Sequence, residues 1–144
     1  MYEPLPMIGG MGAAGFLALH DGGMNAITGL AYNFTLLNGA AYGKPTTPVQ
    51  QAESFVSNAT FYKMLADAGV THVQLDCRVT SAATTSTMTT SKIASITTVC
   101  EKDPVTATVF IDASYDGDVM VAAGDIDYTW GREANTTYVA VDVL

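Results

Sequence analysis

Residues 106–124 constrain the fold more than any other stretch of the chain. Thr106 to Ile111 is a β-branched, strand-like run ending at Asp112, and Gly117 to Ala123 has the composition of one or two helical turns before Gly124. A strand, a turn of small and acidic residues and a short helix, in that order, form the unit in which α/β proteins meet ligands at the carboxyl end of a sheet. The 144 residues are enough for one domain or part of one. A hydrophobic fraction of 49% against a charged fraction of 14% excludes intrinsic disorder and implies that much of the chain is covered.

Upstream of this unit the hydrophobic period changes at Gly69. Residues 1–23 contain Pro4, Pro6 and six glycines with no period of 2 or 3.6, and read as an extended apolar loop lying against a ligand or another segment. From Met24 to Asn38, Ala26, Leu30, Phe34 and Leu37 recur at helical spacing, with Gly39 and Gly43 placed to stop the helix. Thr47, Pro48 and Gln50 have the spacing of a capping box. The helix that follows would bury Ala52, Phe55, Val56, Ala59, Tyr62 and Ala66, and end at a left-handed Gly69. Beyond Gly69, strands are predicted over Thr71–Thr80, Ile93–Cys100 and Thr106–Ile111, with the polar tract Ser81–Ser91 as a hairpin tip.

Six basic residues against fourteen acidic ones give a net charge of −8, which repels a phosphate backbone and excludes nucleic acid as a partner. Five of the acids, Asp112, Asp116, Asp118, Asp125 and Asp127, are concentrated around the strand–turn–helix unit. The apolar run Met7–Leu19 is too short to cross a membrane and lacks the basic flank of a signal peptide. Cys77 and Cys100 are too few for a disulfide framework and have no metal-ligand spacing, so the expectation is two half-buried strand cysteines. Asn33, Asn58 and Asn135 each begin an Asn-x-Thr sequon, where five asparagines and the Ser/Thr content predict about one, a hint of a secreted protein.

Two motifs suggest ligands. Gly10-Met11-Gly12-Ala13-Ala14-Gly15 has the spacing of a dinucleotide fingerprint. Its context is wrong: Pro4 and Pro6 spoil the preceding strand, Gly22 and Gly23 break the following helix, and no acid lies between Asp21 and Glu53 to hold a ribose. Asp112-Ala113-Ser114-Tyr115-Asp116-Gly117 matches the first half of a calcium loop, but Met120 and Ala123 stand where its later ligands belong, so a calcium-binding loop ranks last among the readings. His20-Asp21 has the residue types of an acid/base pair, although a lone His in a Gly-rich loop is more often structural; His72 has no visible partner.

The run Val109-Phe110-Ile111-Asp112-Ala113-Ser114-Tyr115-Asp116-Gly117-Asp118-Val119-Met120, continued by Ala122-Ala123-Gly124, Tyr128-Thr129 and Gly131-Arg132-Glu133-Ala134-Asn135, resembles the signature of a family of FAD-dependent oxidoreductases in the glutathione-reductase-like flavoprotein superfamily. Glu3-Pro4 with Gly9-Gly10-Met11 and Gly15 is similar to that family's N-terminal segment, and Phe61-Tyr62-Lys63-Met64-Leu65 with Ala68-Gly69-Val70 to one of its helix ends. The resemblance implies that Glu3 accepts hydrogen bonds from the adenosine ribose. It implies that Gly9, Gly10, Met11 and Gly15 bring backbone close to the cofactor, and that Asp112, Ala113, Ser114 and Gly117 form a turn beside the dinucleotide. Asp116 and Asp118 would cap the short helix and oppose a phosphate there.

The expected fold is α/β: an incomplete Rossmann-like FAD-binding domain with a helical insertion and a strand-rich return. Residues 1–23 form a cofactor-facing loop, 24–69 the helical segment, 70–112 the strands and 113–144 a short helix and tail. In the family a first strand and its glycine fingerprint precede the position of Glu3 by roughly 20 residues, so the resemblance implies a fragment that does not retain stoichiometric flavin by itself. The expected activity is flavin-mediated hydride or electron transfer on a small molecule. The alternative is a non-enzymatic fragment, or pseudo-flavoprotein, acting as a binding module.

Overall fold

The computed structural model describes residues 1–14, 24–87 and 91–124. Helix and strand are mixed, in the order α1 (Met11–Ala14), a 3₁₀ turn at Met24–Ala26, α2 (Gly29–Ala41), α3 (Ser54–Asp67), β1 (Val79–Ser86), β2 (Ser91–Thr98) and α4 (Asp118–Ala123). Strands β1 and β2 form an antiparallel pair, from Val79 opposite Thr98 to Ser86 opposite Ser91. α3 packs against both α1 and α2, and α4 lies against β1. The core residues Ile8, Ala13, Phe34 and Val56 come from the N-terminal turn and the helices, and Cys77 and Ile96 from the strand region.

The two long helices form near their predicted positions but bury different faces. In α2, Phe34, Thr35, Asn38 and Gly39 are buried, while Leu30, predicted inside, is 75% exposed. Gly39 does not stop this helix. It lies within it because the Lys44–Thr47 turn crosses at a distance only a residue without a Cβ allows. Val49 N–H donates to Thr35 O at 2.8 Å and the Asn38 amide to Val49 O at 3.4 Å, which hold residues 47–49 across α2.

That crossing removes the predicted capping box at Thr47, Pro48 and Gln50, so α3 starts at Ser54, with Glu53 as the flanking residue. Its buried face is Val56, Ser57 and Thr60, and Phe55, predicted inside, is 73% exposed. The predicted stop is observed: Gly69 is left-handed at φ +78°. Its N–H donates to Ala66 O, and Val70 N–H donates to Leu65 O, the two bonds of a Schellman motif.

The strand region departs further from expectation. Thr71–Arg78 is not a strand; Gln74 makes one parallel bridge with Tyr2, and Asp76 at φ +52° breaks the extended run. Ser81–Ser86, predicted as part of a loop, belongs to β1, where its β-branched threonines suit a ladder. Of the predicted strand Thr106–Ile111 nothing pairs. The ladder stops one residue earlier at Val105, which exchanges both backbone bonds with Ile96, and Val109 and Ile111 are 70% and 85% exposed.

The cysteines are not free. Cys77 and Cys100 form a disulfide across a Cα–Cα distance of 5.3 Å. It ties the 74–77 segment, to which residues 1–5 are hydrogen-bonded, to the end of β2.

Candidate functional site

Two turns that are remote in sequence meet at one tyrosine. Gly9 and Gly10, at φ +95° and +49°, make a left-handed turn into α1, and Asp112–Gly117 forms the turn into α4. The Tyr115 hydroxyl accepts a 2.6 Å hydrogen bond from the backbone N–H of Met11, 104 residues away. The same hydroxyl lies where a Cβ on Gly10 would fall, and the Phe61 ring occupies the corresponding space beside Gly9. Phe61 is held there by Phe34, with ring centroids 4.5 Å apart. The glycines therefore give close approach first to the chain's own aromatic rings.

Asp112 organises the second turn. Its Oδ1 accepts from the Ser114 N–H at 3.0 Å and the Ser114 hydroxyl at 2.7 Å. Its Oδ2 accepts from the N–H groups of Val119 at 2.9 Å and Met120 at 3.0 Å. Ser114 Oγ in turn accepts from Asp118 N–H at 2.7 Å. The predicted capping by Asp116 and Asp118 is thus replaced: Asp112 satisfies the first helical amides, reaching over a left-handed Gly117 at φ +71°. Both carboxylate oxygens of the first ligand of a calcium loop are consequently committed to the chain's own donors. Among the described residues no cluster of three His, Cys, Asp or Glu could hold a metal ion.

Partial burial alone would raise the Asp112 pKa, but the hydrogen bonds from the Ser114 side chain and from the Met120, Ser114 and Val119 amides outweigh it and hold the carboxyl below its ordinary value. A depressed folded pKa stabilises the turn fully above the unfolded value of about 3.9 and loses that contribution as pH falls through the folded value. The amides of Val119 and Met120 are therefore expected to lose hydrogen-exchange protection only below about pH 4. Asp112→Ala should abolish that pH dependence and, at a cost of about 1–2 kcal/mol for a lost cap, speed their exchange by roughly 5- to 30-fold at neutral pH. Unchanged exchange in the variant would show that Asp112 is not the cap.

Glu3 sits in a third place. Its N–H donates to Gln74 O and its carbonyl accepts from Cys77 N–H, both at 2.9 Å. Its carboxylate Oε1 accepts from Leu5 N–H at 3.0 Å, closing a local turn and leaving the other oxygen without a hydrogen bond among the described residues. No hydrogen bond or ion pair among those residues joins Glu3 to either glycine-bearing turn. Ala113 is exposed, Ser114 half-buried and Met11 exposed. Gly15, His20, Asp21 and the family-like stretch Tyr128–Asn135 lie outside the described residues.

Sequence reasoning passed over several groups. Tyr115 stood in the quoted family run without a role, and Phe61 in the helix end. Neither carried a signal that it would meet a glycine far away in the chain. His72, expected to lack a partner, has Nε2 3.6 Å from Glu101 Oε1 and stands edge-on to the Tyr2 ring. The Tyr2 hydroxyl donates to the same Glu101 oxygen at 3.3 Å. Burial, then the charge of Glu101 and its hydrogen bond, raise the Tyr2 pKa.

These donors and acceptors suit one end of a dinucleotide better than its centre. The open carboxylate oxygen of Glu3 can accept from sugar hydroxyls. A pyrophosphate is not accommodated at either turn: the open sides of Gly9 and Gly10 are occupied by Phe61 and Tyr115, and Asp112, Asp116 and Asp118 oppose an anion at α4. No described helix is long and apolar enough to cross a membrane.

No curated protein and no solved structure matches the chain. The family model described as FAD dependent oxidoreductase matches residues 1–142. That span takes in the N-terminal Glu3–Gly10 segment and the Asp112–Gly117 turn together, and with it the chain belongs to the FAD dependent oxidoreductase family, whose cofactor is FAD.

Proposed function

We propose that this chain is part of a Rossmann-like FAD-binding domain in a flavin-dependent oxidoreductase acting on a small molecule. Glu3 binds the adenosine ribose, and Gly9, Gly10, Met11, Gly15, Asp112, Ala113, Ser114 and Gly117 are the other residues that contribute to the cofactor site. The observation that carries this reading is the Tyr115–Met11 hydrogen bond, which joins the two turns that the family resemblance assigns to the cofactor. Within this domain residues 1–23 are the cofactor-facing segment, with α1 inside it, 24–69 the helical insertion, 70–112 the strand-rich return, and 113–144 the C-terminal segment that contains α4.

The exposed Val109 and Ile111 support the fragment reading. Among the described residues this extended apolar segment has no backbone pairing partner, so a further strand laid along it would cover these side chains, and burying them stabilises a fold by about 1.5–3 kcal/mol each. When bound, FAD supplies the hydride or electron transfer; the protein supplies position and electrostatics. The pyrophosphate is then held by groups other than the acidic turn into α4.

Titration with FAD, followed by quenching of flavin fluorescence, of an apoprotein in which a first strand and glycine fingerprint are placed ahead of residue 1 tests the site. Glu3→Ala removes a charge-assisted contact of about 1.5–3 kcal/mol and should weaken binding roughly 10- to 150-fold. Asp103→Ala, in an exposed turn, should change affinity by less than about 0.5 kcal/mol. Equal binding by the two variants would remove Glu3 from the site.

A further inference from the structure

Three Asn-x-Thr sequons in one short chain find no use in flavin chemistry, and the structure treats the two it describes differently. Asn33 lies on the exposed side of α2, and its side chain makes no hydrogen bond among the described residues. Leu30, one turn earlier on the same helix, is largely exposed as well. Asn58 is half-buried in α3. Its Oδ1 accepts a 3.2 Å hydrogen bond from the N–H of Ile8, itself a fully buried residue. Asn58 thus holds α3 to the N-terminal turn, and a sugar on its amide would disturb that contact.

The disulfide is an independent observation pointing the same way. Cys77 and Cys100 are paired, and stable disulfides belong to oxidising compartments such as the secretory lumen, where sequons are also modified. We propose that Asn33 carries an N-linked oligosaccharide, that Asn58 does not, and that the protein matures in a secretory compartment.

The donor is a polyprenyl-diphosphate-linked oligosaccharide supplied by a membrane-bound transferase. The Asn33 Nδ2 forms a bond to C1 of the first N-acetylglucosamine, and the bond from C1 to the diphosphate oxygen breaks. The electron pair leaves on the diphosphate, and one amide proton passes to a base of the transferase. The structure also sets the timing. The Thr35 hydroxyl, which the sequon requires, is buried and donates to Tyr32 O at 2.8 Å, and Thr60 of the Asn58 sequon is buried too, so transfer at either site precedes packing. A chain that received sugar on Asn58 could not then close the Ile8–Asn58 contact and would not reach the folded state. In the folded protein the sugar projects from α2 over the apolar surface around Leu30, where it shields that surface from association.

Glycopeptide mapping of the natural protein by mass spectrometry, before and after enzymatic removal of N-linked sugars, decides the matter. The Asn33 peptide is expected to carry sugar and the Asn58 peptide to be bare. In the full chain secreted from eukaryotic cells, Asn33→Gln should remove one glycan's worth of gel mobility shift, Thr35→Ser should retain it, and Asn58→Gln should leave it unchanged. A bare Asn33 in the natural protein overturns the proposal, as does sugar on Asn58. Neither result bears on the FAD titration.

Discussion

Gly39→Ala is expected to destabilise the chain by about 3 kcal/mol, enough to remove a large part of the 5–15 kcal/mol typical of a domain. By propensity alone the change should help, since alanine is favoured over glycine in a helix by about 1 kcal/mol. Tertiary geometry reverses the sign. A Cβ at this buried position in α2 would overlap the carbonyl oxygen of Thr47 and lie 2.8 Å from that of Lys44. Both are backbone atoms and cannot rotate away. The turn they belong to is fastened by Lys44 N–H to Gly39 O at 2.9 Å and Thr47 N–H to Lys44 O at 3.0 Å, so relief of the overlap breaks hydrogen bonds worth about 1 kcal/mol each.

The internal control is Gly43→Ala. Gly43 is left-handed at φ +72° with nothing near its missing Cβ, so its substitution should cost only the backbone penalty of about 1–2 kcal/mol. Urea denaturation of both variants checks the order. If Gly39→Ala proves as stable as the parent chain, the 44–47 turn does not cross α2 as described.

Reduction of the Cys77–Cys100 disulfide is expected to cost about 3.5 kcal/mol, the chain-entropy value for closing a loop of this length; the two cysteines are 23 residues apart in sequence. The two single variants should differ. Cys100 is exposed, so Cys100→Ser loses the cross-link alone. Cys77 is 1% exposed, so Cys77→Ser also buries a hydroxyl without an assigned partner, adding about 1–3 kcal/mol. Denaturation midpoints with and without reductant give the first number, and the two variants under oxidising conditions give the order. A midpoint insensitive to reductant would show that the bond does not hold the hairpin to residues 74–77.

Features that depend on near neighbours in the chain were legible without coordinates. The stop at Gly69 is local, because a left-handed residue with its 5→2 and 6→1 hydrogen bonds involves only six consecutive residues. The bounds of α4 between Gly117 and Gly124 are equally local, as is the family-like run around Asp112. The mixture of helix and strand followed from the change of hydrophobic period at Gly69. Membership of the FAD dependent oxidoreductase family was readable from the order and spacing of Glu3, Gly9–Gly10–Met11 and Val109–Gly124, since such motifs are properties of the linear chain.

The misreadings come where residues outside one local pattern compete for the same backbone or the same space. Thr47-Pro48-Gln50 has the composition of a helix start, but residues 47–49 are held across α2 by Thr35 and Asn38, and a pattern within one window contains no term for that competition. Thr106–Ile111 has strand propensity, but a strand exists only where a partner supplies the ladder, and β2 offers pairing only as far as Val105. The cysteines gave no sign of pairing because a disulfide depends on a Cα–Cα separation that only the packed chain defines. Asp112, Gly10 and Tyr115 could each be named from the sequence. That Asp112 reaches forward to cap α4 was decided by the three-dimensional course of its loop, and that Tyr115 fills the space at Gly10 by tertiary packing, because hydrogen-bond partners and van der Waals neighbours are set by distance in space rather than separation along the chain.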